Sequence, residues 1–313
     1  MKIKRITVIG LGGVGGYFGF KIAHLIETNP NYEITFVARG STYETLKNNG
    51  LTLLSPEHSQ STVKPNNIIE DFSNMEISDL ILICVKEYDL ESVCHQIKDK
   101  VTDDTIMIAL MNGADIYDRV RKVITNGTLL PASVHVASHI KEKGIVEHKG
   151  NSGKIVVGKD PNYKNTEVDW VITLFKDSGA DIIFKEDSFA DIWIKFFFIA
   201  SFGLVSARYN KTIGQICEEN ELKDRASKIM EEIKVITDKL NIEIPSDIIE
   251  LTLTKATTFP YGTPTSLQLD VTSKKEKNEL ELFAGTIINY GTKLNIDTSE
   301  TQKIYNEIKS SLN

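Results

Sequence analysis

A two-part fold, a mostly parallel doubly wound α/β domain followed by an all-helical domain, is predicted by three observations. Short apolar runs alternate with helical patterns up to residue 184, and a glycine-punctuated turn joins the first strand to the first helix. Beyond residue 185 nearly all the periodicity is helical. With 313 residues, 41% of them hydrophobic and 25% charged, the chain has room for two cores, which the change of pattern places at 1–184 and 185–313.

The first predicted strand, residues 3–9, leads directly into Gly10-Leu11-Gly12-Gly13-Val14-Gly15. An amphipathic helix carrying Val14, Phe18, Ile22 and Leu25 follows, and then a second strand at 33–38. Further strands are predicted at 51–54, 79–86, 105–111, 129–137 and 154–158, and helices at 42–49, 90–101 and 114–123. A last strand at 181–184 closes the first domain. The second opens with a long apolar helix at 189–205. Its stripe Leu222, Ala226, Ile229, Ile233, Ile236, Leu240 marks another helix, and Asp297-x-x-Glu300 reads as a capping box before Ile304 and Ile308.

The glycine turn carries the first chemical information. Gly10 permits a tight strand-to-helix turn, Gly12 lets the backbone approach a pyrophosphate, and Gly15 lets the helix lie close on the strand. Free N–H groups at the helix start favour an anion, so residues 10–15 form the expected dinucleotide cradle of a Rossmann-like domain. The second strand runs into Ala38-Arg39-Gly40-Ser41, with no acid at its end. A carboxylate there would repel a ribose 2′-phosphate, whereas a guanidinium with a neighbouring hydroxyl binds it, so the predicted cofactor is NADP(H). The bland alternative is an arginine solvated in a loop.

Composition excludes other classes. The net charge of −7 and the lack of a polybasic run make nucleic acid and acidic membrane surfaces poor partners. Cys84, Cys94 and Cys217 are too scattered for a disulfide framework or a paired-cysteine zinc site, which fits a reducing cytoplasm. The first residues open into a strand, without a charged and then apolar leader pattern, and no uninterrupted apolar run reaches spanning length. Neither export nor membrane insertion is expected. His135 and His139 stand four apart in an apparent strand but find no third ligand, so no metal is expected. Oligomeric state leaves no mark in the sequence.

The glycine turn is one of a series of ordered motifs: Gly10-x-Gly12-x-x-Gly15-x-x-x-Gly19, Val37-Ala38-Arg39-Gly40, Val85-Lys86-Glu87-Tyr88-Asp89, Asn112-Gly113, Gly144-Ile145-Val146-Glu147-His148, Trp193-x-Lys195, and Ser266-x-x-x-Asp270 followed by Glu279 and Gly285. In this order and spacing the chain resembles the ketopantoate reductase (2-dehydropantoate 2-reductase) family over nearly its whole length. The resemblance implies NADPH-dependent reduction of a 2-oxo acid, with 2-dehydropantoate as the leading substrate. It makes Lys195 the general acid and Glu279 its companion at the substrate hydroxyl. It also assigns Ser266 to the substrate carboxylate and Asn112 to the neighbourhood of nicotinamide and substrate.

The residues themselves allow this chemistry. Hydride addition to a 2-oxo acid creates an alkoxide, which needs a proton donor and a clamp for the carboxylate. Lys195 lies in the apolar run Ile192-Trp193-Ile194-Lys195-Phe196-Phe197-Phe198, where partial burial lowers an ammonium pKa. Read without the motif it is a snorkelling surface lysine, Glu279 belongs to a charged helix start, and Ser266 is a turn or cap serine after Pro264. Glu276 and Glu281 compete with Glu279 for its place. Lys86 and Asn112 each follow an apolar run at the carboxyl end of a predicted strand, where doubly wound sheets hold ligands.

The chain departs from the family where substrate is recognised. Asparagines expected four and eight residues after the lysine are Ile199 and Gly203, both predicted to face the oxo acid in a cleft between the domains. Either Ser201, Ser206 or Asn210 compensates, or the substrate is a more apolar 2-oxo acid. A third expectation, from another class, is a non-catalytic NADPH sensor, which would have no need of Lys195.

Overall fold

Strand β1 (Lys4–Ile9) is apolar and buried over its last four residues, as befits a strand covered on both faces of a parallel sheet. It starts the first of two units in the computed structural model, which describes residues 3–57, 59–163 and 166–312. After it come α1 (Gly13–Ile26), β2 (Tyr32–Val37), α2 (Gly40–Asn49), β3 (Leu51–Ser55), β4 (Ser59–Val63), β5 (Asn67–Ile69) and β6 (Leu80–Ile83). The unit continues through α3 (Glu87–Ile97), β7 (Ile106–Ala109), α4 (Ile116–Arg121), β8 (Thr128–Leu130), β9 (Ala132–His135), β10 (Ser138–Glu142), β11 (Ile145–His148) and β12 (Lys154–Gly158). It ends with α5 (Asp169–Asp177) and β13 (Asp181–Lys185).

Six strands form a fully parallel sheet in the order β5-β2-β1-β6-β7-β8. The chain leaves β1 for β2 on one side and returns to β6 on the other, so the carboxyl ends of β1, β2 and β6 surround the point where strand order reverses. A mixed sheet, β10-β11-β3-β4, and a small one, β13-β12-β9, complete the unit. The predicted α/β architecture is the one found.

Several predicted details are corrected. The single strand expected at 129–137 is two strands in different sheets, broken at Pro131, which has no N–H for a ladder. The Pro131 carbonyl instead accepts from the Gly158 N–H and the Ser188 hydroxyl. His135 and His139 consequently lie on β9 and β10 in separate sheets. His135 bonds Ser133, and His139 lies 3.3 Å from a Glu147 carboxylate oxygen. Among the described residues no group of three His, Cys, Asp or Glu side chains could hold a metal.

The second unit comprises α6 (Phe189–Tyr209), α7 (Ile213–Glu218), α8 (Asn220–Lys239), α9 (Ile248–Ala256), α10 (Ser266–Thr272), a π-helical turn (Glu281–Gly285), α11 (Thr286–Leu294) and α12 (Ser299–Leu312). It is all helical, as predicted. The division between units falls after Ser188 where residue 184 was expected, because Ser188 is tied to Pro131. The loop Asn112–Asp115 also groups with the helices. By length and composition α6 alone among the described helices is long and apolar enough to cross a membrane, although Asp191 and Lys195 interrupt its apolar run. Twelve of its 21 residues are buried in the structure, as in a core helix.

On α8 the predicted stripe is buried at Leu222, Ala226, Ile229, Ile233 and Ile236. The capping box at Asp297 and Glu300 does not form. Glu232 from α8 accepts the backbone N–H groups of Glu300 (2.7 Å) and Thr301 (3.0 Å), which frees the Glu300 carboxylate for Arg225 at 2.5 Å. At the start of α12 a long-range carboxylate thus joins Asp297, which accepts the Ser299 N–H at 3.0 Å.

Candidate active site

The dinucleotide loop is shaped by what its glycines touch. Gly10 turns at φ +90°, and a β-carbon there would lie 2.8 Å from the Cys84 carbonyl oxygen just beyond β6. A β-carbon on Gly15 would run into the Gly10 carbonyl, so α1 seats on the end of β1 only because that position is glycine. Gly12 differs from both, since a β-carbon added there would meet nothing within 4 Å. As the N-cap of α1 it provides no side-chain cap, so an open backbone face stands at a helix N-terminus. That arrangement fits a pyrophosphate. Leu11 is buried beneath the loop and Val14 packs on the core cluster.

A second contact surface was not foreseen. The hairpin β10–β11 lies against α1, so a side chain on Gly13 would strike the Ser138 carbonyl and one on Gly16 would strike Val146.

Arg39 is the N-cap of α2, and its exposed guanidinium donates to Asp89 Oδ2 at 3.0 Å. The Gly40 N–H donates to Glu70 Oε1 at 2.5 Å, and the Lys143 ammonium donates to Ser41 Oγ at 2.6 Å. Two carboxylates and a second cation therefore surround the predicted phosphate-binding residues, brought there from positions remote in sequence. Lys86 is exposed at the N-cap of α3, at the carboxyl end of β6.

The second unit assembles the other predicted group. Lys195 Nζ donates to Asn112 Oδ1 at 2.8 Å, joining two residues that the sequence could only name separately. Burial pushes the Lys195 ammonium down to a pKa of about 8. The nearby Glu279 carboxylate opposes this shift and the Lys255 ammonium adds to it. Glu279 is only 4% exposed, whereas Glu276 is exposed and Glu281 is taken up by Tyr305 and Lys309. Of the three competing glutamates, Glu279 is the one electrostatically coupled to the lysine. It immediately precedes the helix that contains the π-helical turn, a departure common near functional sites.

Ser266 is the exposed first residue of α10, and the cap of that helix is Thr265, in a capping box with Gln268. Lys255 was missed because, on sequence alone, it is an ordinary exposed lysine. Its ammonium lies 5.7 Å from the centre of the Phe198 ring, which stacks on Phe202 and Phe259. Phe196 and Phe197 are core residues, as expected of that aromatic run.

The three polar residues expected to compensate for the missing asparagines all take part in hydrogen bonds within the helical unit. The Ser201 hydroxyl donates to the Phe197 carbonyl, and the single Ser206 hydroxyl proton is shared between the Lys211 carbonyl (2.6 Å) and Gln268 Oε1 (2.7 Å). Asn210 Oδ1 accepts from Gln268 and Thr272. Gly203 is buried with its α-carbon toward Phe283, whose ring lies 3.5 Å from where a β-carbon would be. An aromatic ring thus borders the Gly203 position, which is buried in the helical core. Ile199 is partly buried one turn nearer Lys195.

Comparison with known proteins decides the ancestry. The family model described as ketopantoate reductase PanE/ApbA matches residues 6–162, and that for the ketopantoate reductase PanE/ApbA C terminal matches 187–311. The chain belongs to the ketopantoate reductase family. It is accordingly an oxidoreductase of a pyridine-nucleotide-dependent kind. An uncharacterized oxidoreductase of Bacillus subtilis, YkpB, is 22% identical over 96% of both chains. The 2-dehydropantoate 2-reductase of Mesorhizobium japonicum is 22% identical over 77% of this chain and 78% of its own. Among solved structures, the 2-dehydropantoate 2-reductase of Methylococcus capsulatus has a TM-score of 0.84 at 23% identity, covering 98% of this chain and 96% of that one. A D-mandelate dehydrogenase with NADH and anilino(oxo)acetate has a TM-score of 0.85 at 17% identity, covering 98% of both. Ketopantoate reductases and this dehydrogenase therefore share the fold.

Proposed function

We propose that this ketopantoate reductase homologue reduces a small 2-oxo acid to the 2-hydroxy acid with NADPH, and that Lys195 supplies the proton. The observation that carries this reading is the Lys195 ammonium, held by Asn112 at 2.8 Å and lowered by burial to a pKa of about 8. The glycine cradle and Arg39 would hold the cofactor, which when bound supplies the hydride to the carbonyl carbon.

Near pH 7 Lys195 is protonated, yet it is a better acid than a solvated lysine because the site disfavours its charge. Its N–H proton passes to the oxygen that gains the electron pair of the broken C=O π bond. The amine left behind is neutral and recovers a proton from solvent. Asn112 fixes the direction of Nζ through its side-chain oxygen, and Glu279 keeps the ammonium from losing its proton too early. Ser266 and Lys255 are the groups available to a substrate carboxylate, one by hydrogen bond and the other by charge.

By family membership the first substrate is 2-dehydropantoate, converted to pantoate in cytoplasmic pantothenate synthesis. A second reading, an oxo acid with an apolar side chain, is favoured by Ile199, by Phe283 beside Gly203, and by the internal hydrogen bonds of Ser201, Ser206 and Asn210. Following NADPH absorbance with 2-dehydropantoate, branched-chain and aromatic 2-oxo acids tests both. Turnover of 2-dehydropantoate far above the rest supports the first reading, and the reverse order supports the second. Tight NADPH binding with no turnover of any of them would overturn the enzymatic proposal in favour of a cofactor sensor.

A further inference from the structure

The motif Gly144-Ile145-Val146-Glu147-His148 has no part in the chemistry derived so far, yet its turn ends at the Arg39 patch. Gly144 turns at φ +75°, and a β-carbon on it would lie 2.8 Å from the Thr45 methyl on α2. Its carbonyl accepts the Thr52 N–H of β3 at 2.8 Å. These contacts fix the backbone of the β10–β11 turn against the first turns of α2, and Lys143, the residue before Gly144, reaches Ser41 Oγ at 2.6 Å. The backbone that carries this exposed lysine is thus anchored at the adjoining Gly144.

The charges around it do not favour a phosphate by default. Arg39 is paired with Asp89, and the Gly40 N–H, which a phosphate oxygen would otherwise use, is held by Glu70. Without Lys143 the group of Arg39, Asp89 and Glu70 sums to −1, and with it to zero. All four charged residues are solvent-facing or partly so and lie within a few residue lengths of Ser41, close enough for the balance to matter at ordinary ionic strength.

We propose that Lys143 is the second cation of an adenosine 2′-phosphate clamp, acting with Arg39 and the Ser41 hydroxyl, and that cofactor preference depends on both cations. This rests on the NADPH reading above and adds a specificity residue to it. Arg39 alone is largely offset by Asp89, and Lys143 supplies the charge that makes a dianionic group welcome.

The test is direct binding to the full-length protein by calorimetry, using NADPH, NADH and adenosine 2′-monophosphate as probes. In Lys143→Gln, NADPH and adenosine 2′-monophosphate should each bind about 5–20-fold more weakly while NADH changes less than twofold, the low end for a charge-assisted contact because Lys143 is solvent-exposed. Lys143→Glu should lower the NADPH-to-NADH preference further, and Lys143→Arg should retain it. If the unaltered protein prefers NADPH and Lys143→Gln keeps the same preference, the clamp assignment is wrong and the cofactor reading stands. If the unaltered protein binds the two cofactors equally, the cofactor reading fails and the clamp fails with it.

Discussion

The two units make their functional groups in opposite ways. In the first, the cofactor cradle is backbone: Gly10 and Gly15 are glycine because the Cys84 and Gly10 carbonyls occupy the space of a β-carbon, and Gly12 because its face must stay open. In the second, the reacting group is a side chain whose properties come from burial and from neighbours on other segments, namely Asn112, Lys255 and Glu279. A backbone site is specified by residues adjacent in sequence, so it can be read from a short motif. A side-chain site is specified by packing, so its members can be named from sequence while their state cannot.

The comparison predicts separable losses. The largest should come from Lys195→Met, which removes the proton donor and a poorly solvated charge together. Turnover should fall about 10²–10⁴-fold, the usual contribution of a general acid, with NADPH affinity nearly unchanged and the thermal midpoint no lower. Loss of folding in this variant would recast Lys195 as a structural residue.

Arg39→Ala strikes the first unit instead. NADPH affinity should weaken roughly 10–100-fold relative to NADH, in line with one lost charge-assisted contact, with turnover at saturating cofactor retained. Titrations with both cofactors check this, and equal losses for the two would remove Arg39 from 2′-phosphate recognition.

A smaller effect is expected from restoring Ile199→Asn and Gly203→Asn together. The ratio of kcat/KM for 2-dehydropantoate to that for a deoxy branched-chain analogue should rise by about 10-fold if buried amides then reject the ligand that leaves them unpaired. Because Phe283 borders position 203, the gain should come mainly from Ile199→Asn, which the single substitutions would reveal. An unchanged ratio in folded protein would separate both positions from substrate.

The sequence made the strand, glycine turn and helix at 3–26 legible because the steric demands are local and the apolar periodicity is strong. It left β4, β5, β10 and β11 unread. These strands are short and carry polar or charged residues, and two of them pair with partners distant in the chain. Pro131 broke an apparently continuous strand for a reason visible in the chain, the missing N–H, although which sheets its halves would join was not.

At the site, the Lys195 and Asn112 motifs were readable, while the bond between them spans 83 positions. Glu279 was preferred to Glu276 and Glu281 only on its spacing to Gly285, whereas the burial that sets it apart in a lysine-rich stretch is a matter of packing. Asp89 and Glu70 escaped notice as opponents of a phosphate, since one reaches the patch from the first turn of α3 and the other from the end of β5. Phe283 was likewise silent: only packing shows that an aromatic ring lies beside Gly203.

The central claim is that Lys195 acts as an acid whose pKa is lowered to about 8 by burial. Its cationic form is the competent one for reduction, so activity is fully present below that pKa and is lost as pH rises through it. The most direct measurement is kcat/KM for the best 2-oxo acid between pH 6 and 10.5 at saturating NADPH. A plateau to about pH 8 followed by a decline approaching tenfold per pH unit is predicted. A profile that stays flat to pH 10 would contradict the account.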